Sequence, residues 1–172
     1  NNFLASICFV KDGKKTLVSF AYIDISTGDF YMTEITDGEI LNQLNDNLVR
    51  VRPSEVICNN EMKTFERDLQ CSIGQYVPPF KVYSEDNFDF KSGENSLKQQ
   101  LNTDSLKSFN CATRQFAICS AGALLKYVFE TQKRELKHIN TLEYVFNNEY
   151  MQLDANTRRN LELIETFKDR RK

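Results

Sequence analysis

The chain has 172 residues, the size of one ordinary domain or of one domain with an appendage, and its 22 Lys and Arg against 24 Asp and Glu leave a net charge of −2. That balance offers no overall basic excess for neutralising phosphates, which argues against a self-sufficient nucleic-acid binder. Hydrophobic residues at 41% and charged residues at 27% describe a globular chain, and the longest uncharged apolar stretch, Ala117 to Leu125, is too short to cross a bilayer.

Residues 3–10 read FLASICFV, apolar at both alternating positions, which predicts a strand covered on both faces. A turn around Asp12-Gly13 follows, then a second strand over residues 17–25. Ser26-Thr27-Gly28-Asp29 turns the chain into a third strand, Phe30 to Thr36. Connections this short require antiparallel neighbours, so the chain opens as a meander.

The period then becomes helical. Asp37 is placed as an N-cap, with Ile40, Leu41, Leu44 and Leu48 as one apolar stripe. Pro53 stops that helix and leads into a short buried strand, Ser54 to Cys58. A mostly polar helix over residues 60–70 carries Met62, Phe65 and Leu69. Pro78-Pro79 marks a break before a last strand, Lys81 to Tyr83. From Ser84 to Phe109 the polar sequence predicts short helices and loops anchored by Phe88, Phe90, Leu97, Leu101 and Leu106. Ala112 to Leu136 is the longest helical signal, with Ala117, Ala121, Leu124 and Val128 on one face and Lys133, Arg134 and Lys137 near its end. Two strand-like runs, Leu142 to Phe146 and Tyr150 to Leu153, flank the polar turn Asn147-Asn148-Glu149. Asp154 caps a final helix with Leu161, Ile164 and Phe167 at helical spacing.

This order predicts an α/β fold: a mixed five-stranded sheet with flanking helices, followed by a short hairpin and the first helix of an all-α unit. It resembles the ribonuclease H-like architecture. Residues 154–172 hold 6 basic and 4 acidic groups, net +2, which leaves −4 for the first 153 residues. The tail reads as the start of another domain. The absence of an initiator Met suggests a piece of a longer protein.

Ribonuclease H-like folds often host two-metal nucleases, so Asp24, Asp29 and Glu34 are candidate metal ligands. Such chemistry needs carboxylates converging on ions ~4 Å apart. The alternative role for Asp29 is its own turn, and for Asp24 and Glu34 an edge or solvent face. The run from Asp24 to Gly28 is similar to phosphate-holding turns of sugar kinases, but one glycine supplies little of the backbone access those turns require. The six glycines include no pair spaced two or five apart, so neither GxG nor a Walker A loop is possible. His138, the single histidine, is better explained by capping or solvation than by catalysis. The five cysteines contain no CxxC pair, and four lie in or beside apolar runs, as expected of buried reduced thiols in a cytoplasmic protein.

The most informative stretch is Met151-Gln152-Leu153-Asp154-Ala155-Asn156-Thr157-Arg158-Arg159-Asn160-Leu161-Glu162-Leu163. Through Met151, Leu153, Asp154, Thr157, Asn160, Leu161, Glu162 and Leu163 it closely resembles the M-x-L-D-x-x-T-x-x-N-L-E-L motif of the MutS family of DNA mismatch-repair proteins. Other segments agree in order: Asn2-Phe3-Leu4-Ala5, Tyr22 to Phe30, Arg52-Pro53-Ser54-Glu55-Val56-Ile57, and Cys119 to Tyr127 followed by Thr131-Gln132.

The resemblance implies a connector domain of ribonuclease H-like fold over residues 1–136, then a linker hairpin and the truncated beginning of the core, or lever, domain over residues 137–172. No phenylalanine here is followed two residues later by Glu, so the family's mismatch-reading F-x-E motif is absent, as is its Walker A loop. The resemblance therefore implies a non-catalytic, cytoplasmic piece with no membrane contact and no cofactor of its own. ATP and magnesium would belong to the longer protein, a homodimer that meets mismatched duplex DNA through other domains. MutL is the implied partner. Within the polar segment, Leu97 and Leu101 are expected to be buried as an i,i+4 pair while Gln99 and Gln100 face outward as docking amides. Arg158, Arg159, Arg170 and Arg171 are candidate weak DNA contacts.

Overall fold

The computed structural model of the chain describes residues 2–36, 39–67, 69, 78–109, 114–133 and 136–146. Three strands open it: β1 (Phe3–Asp12), β2 (Lys15–Asp24) and β3 (Phe30–Ile35). β1 and β2 pair antiparallel from Phe3 opposite Asp24 to Asp12 opposite Lys15, and β2 pairs with β3 from Ile23 opposite Phe30 to Val18 opposite Ile35. The first reversal turns on Gly13 at φ 61°, a left-handed conformation that glycine adopts without strain.

Helix α1 (Ile40–Val51) crosses over and returns the chain through β4 (Glu55–Cys58), which lies parallel to β1. Leu44 and Leu48 of the expected stripe are buried. The helix ends where Arg52, placed before Pro53, takes a left-handed φ of 50° and donates its N–H to Leu48 O. Asp37, expected as the N-cap, lies outside the described residues. A one-turn helix α2 (Asn60–Lys63) precedes β5 (Phe80–Val82), which lies parallel to β4.

The polar segment forms 3₁₀ turns at Glu85–Phe88 and Leu106–Phe109 around helix α3 (Phe90–Gln100). Helix α4 (Gln115–Gln132) follows, and β6 (Glu143–Tyr144) closes the described chain. The sheet order is β5-β4-β1-β2-β3-β6. Its first five strands follow the ribonuclease H-like order, an antiparallel meander extended by two parallel crossover strands.

The sixth strand departs from the expected five. The run from Leu142 to Phe146 was expected to pair in a hairpin with Tyr150–Leu153, a segment outside the described residues. Within that run, Glu143 and Tyr144 lie parallel to β3, with Tyr31 opposite Glu143 and Met32 opposite Tyr144. The reason is geometric: β3 would otherwise leave an open edge, and Leu142 and Val145 find burial on the sheet.

Both faces of the sheet are covered. Leu4, Cys8, Ala21, Ile23 and Met32 face α3 and α4, while Ile7, Phe9, Val18, Phe20 and Ile35 face α1 and α2. Asn59, 2% exposed, continues β4's pairing with β1 through its backbone N–H, which donates to Ile7 O at 3.4 Å, and through its side chain. Its Oδ1 accepts Phe9 N–H at 3.0 Å and its Nδ2 donates to Phe9 O at 2.8 Å. The same Oδ1 accepts from Met62 N at 3.3 Å and so caps α2.

Helix α4 is buried almost all round. Towards the sheet, Ser120 Oγ donates to Ser19 O at 3.1 Å and stands 2.5 Å from Ser19 Oγ. Towards α3, Gly122 meets Gly93, and a Cβ at Gly122 would lie 2.3 Å from Gly93 Cα. The two helices touch backbone to backbone there. We expect Gly122→Ala to force them apart and to destabilise the fold by about 1–3 kcal/mol in urea melts, outweighing the gain in helix propensity of about 1 kcal/mol.

The outer edge, β5, is closed by side chains. Phe80 N–H donates to Glu66 Oε1 at 3.0 Å, Lys63 Nζ donates to Phe80 O at 2.6 Å, and Lys63 and Glu66 form an ion pair. Burial alone would raise the Glu66 carboxyl, but its bonds to Lys63 and to the Phe80 amide outweigh that and hold it below the ordinary glutamate value. A carboxyl lowered by folding contributes stability that is complete above its unfolded value and lost as pH falls through the folded one. Glu66→Gln should therefore be less stable than the wild type at neutral pH, and the gap should close below about pH 4. Urea midpoints measured from pH 7 to pH 3 check this.

Candidate functional site

The three candidate metal ligands do not converge: Asp24 and Asp29 share a turn, and Glu34 lies away from both. Asp24 ends β2 and is 3% exposed; its Oδ1 accepts from Ser26 N at 2.9 Å and from Thr27 N at 3.4 Å. Asp29 shares the same turn, where its Oδ2 accepts from Thr27 Oγ1 at 2.9 Å. Glu34 lies opposite Ser19, five residues back along β2 from Asp24. Five is an odd step, so Asp24 and Glu34 lie on opposite faces of the sheet, about 17 Å apart along the strand. Glu34 serves another purpose: its Oε1 accepts Ala117 N–H at 3.0 Å, capping the start of α4 from 83 residues away. The alternative roles considered for Asp24 and Glu34, an edge or a solvent face, are also corrected, because each carboxylate is an internal acceptor. Among the described residues no group of three or more His, Cys, Asp or Glu side chains is placed to hold a metal ion. This arrangement does not fit a two-metal site.

The turn from Asp24 to Asp29 is likewise structural. Gly28 adopts φ 84°, and a Cβ there would stand 2.3 Å from His138 O. His138 Nε2 lies 2.7 Å from Ile25 O, a carbonyl that only accepts, so Nε2 carries the proton. The histidine is half-buried and ties residues 136–140 to this turn, in place of the expected capping or solvation.

The polar segment separates its two glutamines. Leu97 and Leu101 are buried, as their spacing predicts, and Gln99 is exposed at the end of α3. Gln100 does not face outward. Its Nε2 donates to both Leu136 O and Ile139 O, each at 2.8 Å. The correction has a simple cause: the chain returning from α4 brings two carbonyls within reach of that amide, Leu136 O, which also accepts Ile139 N–H at 3.0 Å, and Ile139 O, and a half-buried amide left without acceptors would be costly. Beside it lies a shallow groove of about 430 Å³ lined by Gln100, Leu101, Asn102, Phe129, Leu136, Lys137 and Asn140. Phe129 is 42% exposed at its rim.

Sequence reasoning missed the Gln100 bridge, which joins residues 36 and 39 positions apart, and the Gly93–Gly122 contact. Gly122 was nonetheless visible as a glycine inside a strong helical pattern, a signal of close approach. Cys8 and Cys58 are buried and Cys119 is half-buried, all as free thiols. Burial pushes the Cys58 thiol up to about 12 and the Cys119 thiol up to about 11, which makes both poor nucleophiles. Cys71 and Cys111 lie outside the described residues. So do Met151, Leu153, Asp154, Thr157, Asn160, Leu161, Glu162 and Leu163, and Arg158, Arg159, Arg170 and Arg171. Among the described residues no helix is long and apolar enough to cross a membrane.

The family model described as MutS domain II matches residues 2–140. Proteins named DNA mismatch repair protein MutS are similar along the whole chain. That of Ruminiclostridium cellulolyticum is 37% identical over 173 residues, covering 100% of this chain and 19% of that protein. That of Alkaliphilus metalliredigens is 36% identical over 177 residues, covering 100% and 19%. That of Halothermothrix orenii is 35% identical over 169 residues, covering 98% and 18%. The chain thus spans less than a fifth of the length of these relatives. A domain match over residues 2–140, borne on a six-stranded ribonuclease H-like sheet, places the chain in the MutS family, in the part described as domain II.

Proposed function

We propose that this chain is the non-catalytic connector of a longer, cytoplasmic mismatch-repair protein, joining its mismatch-reading part to its ATPase part and docking MutL. The observation that carries the reading is the MutS domain II match on a body whose strand carboxylates are engaged in turns and helix caps. ATP, magnesium, mismatched duplex DNA and the homodimer contact belong to other parts of that longer protein. The carboxylate geometry lends the nuclease alternative no support.

Gln99 is the docking residue on this reading. It stands exposed at the end of α3, next to the groove rimmed by Phe129 and Asn102. Gln100 supports that surface from beneath. The test is Gln99→Glu in the full-length protein: MutL recruitment should fall at least about fivefold, roughly 1 kcal/mol, while mismatch affinity and ATP hydrolysis stay near wild type. Unchanged recruitment moves the docking surface off α3.

A second expectation concerns the isolated chain. With net charge −2 it should bind duplex no more tightly than about 10⁻⁵ M at physiological salt, without preference for a mismatch, and any binding should fade steeply with added salt. ATP should not turn over. A several-fold preference for mismatched over matched duplex in a titration would overturn this.

A further inference from the structure

The end of the described chain is welded to the sheet, not hung from it. Leu136, Ile139, Leu142 and Val145 are 3%, 0%, 3% and 9% exposed. Gln100 and His138 bind this segment at its start, as described above. At its end Val145 N–H donates to Met32 O at 2.8 Å, Thr33 Oγ1 donates to Val145 O at 2.6 Å, and Glu34 N–H donates to the Tyr144 hydroxyl at 3.1 Å. Residues 136–146 therefore move with the sheet as one body.

One side chain at that end stands where simple electrostatics disfavours it. Arg114 is the N-cap residue of α4, beside the positive end of the helix dipole. Its guanidinium carbon instead lies 4.8 Å from the ring centre of Tyr144 and 5.4 Å from that of Phe146, two rings that meet edge-on at 4.9 Å. Glu34, which caps the same helix turn, adds a carboxylate to this corner. The corner joins the N-terminus of α4, the edge of β3 and the last described residue of the chain.

We propose that residues 136–146 are the output arm of this domain, and that Arg114 is a positioning residue that clamps Tyr144 and Phe146 and so holds the end of that arm against the β3 edge. The inference rests on the connector reading, since an arm has use only where motion is passed on. It assigns residues 137–146 to the body of the sheet. Motion of the sheet is then delivered at the β3 edge.

The test uses the full-length protein with one fluorophore at residue 14, in the exposed β1–β2 turn, and a second on the ATP-binding part. ATP should shift the distance between them in the wild type. Arg114→Leu and Phe146→Ala should each lose at least half of that shift, with ATP turnover within about twofold of wild type and hydrogen-exchange protection of the β1 and β2 amides unchanged. Arg114→Lys, which keeps the cation, should retain most of the shift. Val145 N–H should exchange at least tenfold faster in Arg114→Leu than in the wild type. Variants that shift as the wild type does overturn the clamp while leaving the connector reading intact. A wild type with no ATP-dependent shift overturns the connector reading, and the clamp with it.

Discussion

Everything on one side of the sheet depends on how closely α4 can lie between two neighbours. A helix whose middle is enclosed by a sheet and a second helix has no room there for bulk, so its side chains must be small where the approach is tightest. Ser120 meets the sheet and Gly122 meets α3, and two positions on a helix put them on nearly opposite sides. The hydroxyl of Ser120 also satisfies itself on Ser19 O, so the tight approach buries no orphaned donor there. A wider spacing would withdraw Leu97, Leu124 and Ile118 from shared contact and unseat the Glu34 cap.

Much of this architecture was legible beforehand. The meander followed from two short turns, and the burial of both faces of β1 followed from the uninterrupted run FLASICFV. The i,i+4 pair Leu97 and Leu101 is buried as its spacing implied. Illegible features share one property: they join residues far apart through a single polar group. The amide of Gln100 looks the same in sequence whether it faces water or two carbonyls. Glu34 carries the same ambiguity, since a carboxylate on a strand is equally a metal ligand, a solvent residue or a distant helix cap. Local pattern ranks residues by polarity, while tertiary geometry decides which polar groups are spent internally.

A consistent division of labour results. The polar residues that a motif search would single out, Asp24, Asp29, Glu34, Asn59, Gln100 and His138, are largely consumed in holding turns, caps and strand ends. At the ends of α3 and α4, by contrast, Gln99 and Phe129 are exposed. Each of these groups is a fastener between segments of the fold.

The long reach between β3 and β6 also bears on how the chain is made. Thr33 and Val145 are separated by 112 positions. During synthesis at roughly 5–20 residues per second, the edge of β3 waits on the order of 5–20 s for its partner strand to emerge. In that interval the meander has a bare edge able to pair with another nascent chain. Within the meander, the Tyr31–Ile35 edge is therefore the last to be covered.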